Sequence, residues 1–308
     1  MATYRIENET LTQIKEKPFK LEREIQNLVE KNISMLLGLE FIKTEFSLNS
    51  FRIDSLAFDT EKKSFVIIEY KRDRNFSVID QGYAYLSLML NNKADFILEY
   101  NESKSATLKR SDVDWSQSKI IFVSPNFTTY QKEAINFKDL PIELWEIKRF
   151  SNNTLSFEQI VSKSSRESIK AISNNETMTT VSKEIKVYNE QDHLAHTDES
   201  IRNIYEQVKE YLLSLGEDIS IYPKKKTIGF KVGNKVFCDI VIQNKGIRLF
   251  LNVKKGILRD PEKIMRDVSE VGHWGNGAYE IRFPLNDDIE IEYVFNLLRQ
   301  AMYKNKEE

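Results

Sequence analysis

Between Arg52 and Arg72 the chain carries two apolar runs, Ile53–Phe58 and Phe65–Ile68, on either side of a polar turn at Thr60–Lys63. Such runs around a short turn pair as the antiparallel strands of a hairpin. Side chains alternate between the faces of a strand. The register therefore puts Phe58 opposite Phe65, Leu56 opposite Ile67 and Asp54 opposite Glu69, with Lys71 two residues further along the same face. Directly opposed residues have Cβ atoms ~4.5–5.5 Å apart, and like charges there oppose pairing. A buried sheet that ends in two facing carboxylates and a lysine needs an explanation, and a bound cation supplies one. Hard Mg2+ (or Mn2+) takes carboxylate oxygens, keeps several waters and activates water toward a phosphodiester. Lys71 at this spacing can position that water or offset charge developing on the phosphate. The competing reading is an ordinary surface hairpin with charged residues at its open end.

The hairpin sits inside an alternation of helix and strand signals. Leu21, Ile25, Leu28, Val29, Ile33 and Leu36 form one helical stripe, ended by Gly38. Strands are expected at Phe41–Phe46, Phe96–Tyr100, Ile120–Ser124 and Ile142–Phe150. Helices are expected from Ser77, whose hydroxyl can cap the first turn with Asp80 three residues on, and over Thr128–Ile135. This pattern predicts an α/β domain over 1–162, with a mixed central sheet flanked by helices. Residues 163–187 are dense in Ser, Thr and Asn, weakly periodic, and read as a linker. Residues 188–308 predict a small α+β domain. Its elements are a helix over Ser200–Leu215, strands at Thr227–Val232, Lys235–Gln243 and Arg248–Val253, a helix near Pro261–Ser269, a strand at Tyr279–Pro284 and a last helix over Ile291–Tyr303.

A length of 308 residues suits two such domains. The 45 basic and 47 acidic residues leave a net charge of −2, and neither half is basic, so a nucleic-acid partner would have to be held by a local cleft. No apolar run reaches the ~18 residues of a membrane span, and the N-terminus lacks the apolar core of a secretory signal. No membrane partner is expected. Cys238, the single cysteine, lies in a strand-like run and reads as a small buried hydrophobe, which suits a reducing cytoplasm. His193, His196 and His273 show no zinc spacing with it. The run Gly272–Gly277 is either a turn needing positive φ, its Trp274 plugging the core, or a loop that presents His273 and Trp274 to a ligand.

Four segments in this order, Glu22-x-x-Ile25, Ile53-Asp54-Ser55-Leu56, Val66-Ile67-Ile68-Glu69-Tyr70-Lys71 and Gln81-Gly-Tyr-Ala-Tyr85, resemble the signature of the PD-(D/E)xK nuclease superfamily. Within it they are most similar to archaeal-type NucS/EndoMS endonucleases and the restriction-endonuclease-like proteins near them. The resemblance covers about residues 18–150. It implies a restriction-endonuclease-like fold and Mg2+- or Mn2+-dependent hydrolysis of nucleic acid, DNA favoured over RNA, in restriction, defence or DNA processing. By position it implies Asp54, Glu69 and Glu22 as catalytic metal ligands, Lys71 as the catalytic lysine, and Gln81, Tyr85, Arg72 and Arg74 as nucleic-acid contacts. Glu22 falls within the apolar stripe at 100° per residue, where an acid must meet a cation or donor. Glu24, at the stripe's border, is the reserve, and a first-turn Glu held by the helix dipole is the alternative. Tyr85 reads equally as core, and the arginines as solvated. One departure is Ile53, which stands where many members of the superfamily have Pro.

Residues from about Tyr188 to Tyr303 resemble a small domain of unknown function that often carries the label "predicted transport protein". The residues concerned are His193-Leu194, the Ser200–Leu215 helix and Gly272–Gly277. That domain would hold an unidentified partner or ligand, and a homodimer is left open. The alternative function is a non-catalytic protein derived from the nuclease fold, which binds nucleic acid or another protein.

Overall fold

A computed structural model describes residues 3–72, 76–137, 139–161, 168, 176–272, 277–283 and 290–307. The chain forms two compact units, Met1–Val187 and Tyr188–Glu308.

The first unit opens with a hairpin, β1 (Thr3–Glu7) and β2 (Thr10–Ile14), followed by α1 (Glu22–Lys31) and α2 (Ile33–Leu37). Then come β3 (Glu40–Leu48), β4 (Phe51–Asp59), β5 (Ser64–Tyr70), α3 (Val78–Asn91), α4 (Lys93–Lys104), β6 (Lys119–Ser124), α5 (Thr129–Ala134), β7 (Ile142–Arg149), β8 (Leu155–Gln159) and α6 (Glu176–Glu184). Strands β3 to β8 make a six-stranded mixed sheet in sequence order: β3, β4 and β5 are antiparallel, β5, β6 and β7 parallel, and β8 antiparallel to β7. Alternation along β4 and β5 divides the core in two. Leu56, Phe58, Phe65 and Ile67 pack with Val78, Leu86, Met89 and Phe96 of α3 and α4. Ala57, Val66, Ile68 and Tyr70 pack with Ile25, Val29, Ile33 and Leu37 of α1 and α2. This is the expected α/β architecture.

Three expectations for this unit are corrected. The stripe read as one helix is broken at Asn32, whose φ of −124° leaves the helical region and whose side-chain amide donates to the Leu28 carbonyl at 2.8 Å. The run Phe96–Tyr100, read as a strand, lies in helix α4. A short apolar run does not distinguish the two, and here one residue, Phe96, is driven into the core against Phe46 and Phe65. The stretch read as a linker includes α6, and Val181 and Ile185 join the core of the first unit.

The second unit contains α7 (Glu190–Leu194), α8 (Glu199–Ser214), β9 (Ile219–Pro223), β10 (Ile228–Val232), β11 (Lys235–Gln243), β12 (Gly246–Leu251), β13 (Arg266–Asp267), β14 (Tyr279–Phe283) and α9 (Ile291–Glu307). Its antiparallel sheet runs β13-β14-β12-β11-β10-β9, and α8 and α9 bury their apolar stripes against one face. The helix expected near Pro261–Ser269 is absent; Arg266–Asp267 instead pairs with β14 at the sheet edge. Pro261 fits the turn that Asp260 closes by accepting from the Met265 N–H at 2.8 Å. Cys238 is fully buried, as expected. Gly277 has a φ of +88°, while His273 and Trp274 lie outside the described residues. Among the described residues no helix is long and apolar enough to cross a membrane.

Candidate active site

The β4–β5 register is the one that alternation predicts: Phe58 faces Phe65, Leu56 faces Ile67 and Ser55 faces Ile68. Beyond Ser55 the backbone ladder stops and side chains replace it. The Asp54 N–H donates to Glu69 Oε1 at 3.1 Å, and the Tyr70 N–H donates to Asp54 Oδ2 at 3.0 Å. Each carboxylate thus fills the place of a carbonyl on the opposing strand, which pins the two acids against one another at the rim of the sheet. Lys71 extends β5 by donating its N–H to the Val123 carbonyl of β6 at 2.9 Å, and its Nζ lies 3.4 Å from Glu69 Oε2.

Burial sets the electrostatics. Glu69 is only 1% exposed, and desolvation, followed by the charge of Asp54, pushes its carboxyl up to about 7 against the pull of Lys71. Asp54 is also raised, chiefly by burial, although the Tyr70 N–H and Lys71 oppose this. Two neighbouring carboxyls, both pushed up chiefly by burial, form a pair that an added cation would relieve. The donor set suits a hard cation, since such ions bind through one or two carboxylates and keep water for the remaining positions.

Helix α3 covers this face of the sheet and presents Gln81 and Tyr85 one turn apart. The Tyr85 phenol donates to the Arg52 carbonyl at 3.2 Å, and its ring meets Phe51 edge-on. Burial first, then Glu69 and Asp54, raise its pKa. Gln81 Oε1 is buried with no hydrogen-bond partner among the described residues. Sequence reasoning gives these two residues a place at the site, and the fold brings Tyr85 within electrostatic reach of both acids.

Glu22 corrects an expectation. It is exposed, because α1 begins there and the packed part of the stripe starts only at Ile25. Its Oε1 accepts the Arg72 N–H at 2.9 Å, and its charge is felt at Asp54. Among the described residues no group of three or more metal-ligating side chains is already assembled. The reserve, Glu24, pairs with Arg149 at 3.1 Å and accepts the Lys20 N–H at 3.2 Å. Arg72 directs Nη1 to the Lys20 carbonyl at 2.7 Å, and Arg74 lies outside the described residues.

A polar cluster under the opposite face was not expected. Gln26 of α1 is buried, and its Nε2 lies 2.9 Å from the Asp54 carbonyl, 3.0 Å from Glu30 Oε1 and 3.1 Å from Thr44 Oγ1. The Ser55 hydroxyl lies 2.5 Å from Glu30 Oε1 and 3.1 Å from the Tyr70 phenol oxygen. The cluster holds the Asp54 backbone from behind. Its signal in the sequence is the i, i+4 pair Gln26 and Glu30 beside the apolar stripe, a pattern that usually means a solvated helix edge.

A family model described as "Domain of unknown function (DUF5655)" matches residues 190–305. An uncharacterized protein of Haemophilus influenzae is 50% identical over 293 residues, which are 95% of this chain and 96% of that one. Among solved structures, a repair endonuclease from Pyrococcus abyssi is similar at 19% identity over 39% of this chain and 45% of that one, with a TM-score of 0.22. An EndoMS–dsDNA complex is similar at 16% identity over 47% and 65%, with a TM-score of 0.26. The chain spans less than two thirds of either solved chain.

Proposed function

The chain belongs to one family with the uncharacterized Haemophilus influenzae protein, and on that premise and the geometry of the β4–β5 rim we propose that it is a divalent-cation-dependent nuclease. The observation that carries this reading is the pair Asp54 and Glu69, locked by reciprocal bonds to each other's strands with Lys71 beside them. Asp54 and Glu69 would hold Mg2+ or Mn2+, which when bound supplies Lewis-acid charge and a water of lowered pKa. Lys71 places its ammonium next to Glu69, where it stabilises charge developing on a phosphodiester oxygen. Gln26 and Tyr70 keep the strand ends in place. Tyr85 and Gln81, on the helix above the acids, line the approach of the substrate strand. DNA is the favoured substrate, and the degenerate signature shared with PD-(D/E)xK nucleases supports that choice.

The test is cleavage of labelled single- and double-stranded DNA and RNA with Mg2+ or Mn2+, beside Lys71→Ala and Asp54→Asn. Metal-dependent cutting by the unmodified chain is expected, with both variants folded and at least ~100-fold slower. Absence of cutting on every substrate, by a chain that melts normally, would overturn the nuclease.

A further inference from the structure

The second unit gathers like charge on the face of its sheet turned away from α8 and α9. Leu249, Leu251, Tyr279 and Ile281 point to the helices, so Arg248 of β12 and Glu280 and Arg282 of β14 point the other way. Arg248 stands directly opposite Arg282, and Arg266 of β13 opposite Glu280. All three arginines converge on the one carboxylate. Arg248 Nη1 lies 3.2 Å, Arg266 Nη1 3.1 Å and Arg282 Nε 3.5 Å from Glu280, which is 2% exposed. Arg248 Nε also donates to Gln243 Oε1 at 2.7 Å.

Stability alone does not favour this arrangement. Like charges directly opposed across a ladder oppose pairing, and one carboxylate cannot neutralise three guanidiniums. Their side chains stay 35%, 54% and 59% exposed for Arg248, Arg266 and Arg282. Arg266 donates a hydrogen bond to Glu280 at 3.1 Å while Arg248 and Arg282 are drawn to it by charge, so N–H donors are left for solvent. A planar fork of donors matches phosphate oxygens two at a time. Three forks gathered around one buried acid form a receptor of excess positive charge that is in place before a ligand arrives.

We propose that Arg248, Arg266 and Arg282 form a phosphate-binding site whose ligand is the backbone of a nucleic acid, with Glu280 as the positioning residue. The choice of nucleic acid rests on the nuclease reading of the first unit. Among the described residues the site offers guanidinium forks, which suit phosphate and not base edges, so it reads charge and not base sequence.

The experiment is binding of a labelled DNA duplex to the full chain in EDTA, where metal-dependent cleavage does not occur, over a series of salt concentrations. Relative to the unmodified chain, Arg248→Gln/Arg282→Gln is expected to bind roughly 10- to 100-fold more weakly, with the slope of log affinity against log salt lower by about two. Arg248→Lys/Arg282→Lys, which keeps the charge, is expected to keep most of the slope. If the double Gln variant does not fold, Arg282→Gln alone is expected to lower the slope by about one. Unchanged affinity and slope in a folded Gln variant would overturn the proposal. So would duplex binding that is absent while inorganic phosphate stabilises the chain, an outcome that assigns the site to a free phosphate. Lost cleavage with preserved, arginine-dependent binding would sink only the nuclease; intact cleavage with arginine-independent binding would sink only this site.

Discussion

Glu69→Gln is expected to abolish cleavage and, in the absence of divalent cations at pH 8, to make the first unit more resistant to heat. The Glu69 carboxyl titrates near 4.5 in an unfolded chain and is pushed up to about 7 in the fold. Below pH 4.5 it is protonated in both states and carries no penalty. Between these values only the unfolded state releases the proton, so native stability falls as pH rises, and above about 7 the full cost is present. The shift corresponds to about 3 kcal/mol, or roughly 5–10 °C in melting temperature for a unit of this size. Gln carries no charge to desolvate and keeps an oxygen for the Asp54 N–H. Its advantage should vanish near pH 4 and be largest above pH 7. Mg2+ should raise the melting temperature of the unmodified chain at pH 8 and leave that of Glu69→Gln almost unchanged. Melting curves from pH 4 to 8, with EDTA or Mg2+, measure all of this. Equal pH profiles for the two proteins would show that Glu69 does not bear the charge assigned to it.

Gly277→Ala is expected to unfold the second unit or cost it about 4 kcal/mol or more, a loss of the size produced by strain at a special backbone conformation combined with a clash. At a φ of +88°, a Cβ on residue 277 would lie 2.1 Å from the Leu251 carbonyl oxygen and 2.4 Å from Asn252 Cα. Both are backbone atoms at the end of β12, so no rotamer relieves the contact. Denaturant unfolding followed by tryptophan fluorescence and circular dichroism should show one transition lost or shifted, with the metal response of the first unit preserved. Gly233→Ala, also at positive φ but with nothing within 4 Å, is the control and should cost far less.

The most legible part of the sequence is the β4–β5 hairpin. Period-two alternation and a four-residue turn leave one register, and that register alone brings Asp54 to Glu69. The acid of α1 was harder to place. The angle of Glu22 about the helix axis says which way the residue points but not that α1 begins there, one turn ahead of the packed stripe. Phe96–Tyr100 misleads for a similar reason: four apolar or aromatic residues in five positions suit a strand, while full burial rests on Phe96. Helix α6 is polar throughout except for Val181 and Met178, so its composition looks like a linker although its packing is that of a core element. The β1–β2 hairpin is almost entirely exposed and leaves no apolar pattern to read. The Gln26–Glu30 cluster escapes because burial of a polar helix residue depends on what lies across from it, and Ser55 and Tyr70 are far away in the chain.

The amide protons of Asp54 and Tyr70 end on side-chain oxygens, whereas those along the rest of β4 and β5 are held within the sheet. These two amides are therefore gauges built into the rim. Whatever draws the carboxylates toward itself must loosen its hold on them, and the neighbouring ladder need not change. In a hydrogen-exchange or amide-resonance experiment, occupancy of the rim should register at residues 54 and 70 before any product is formed. The binding step could then be followed, residue by residue, in a chain that has been given nothing to cut.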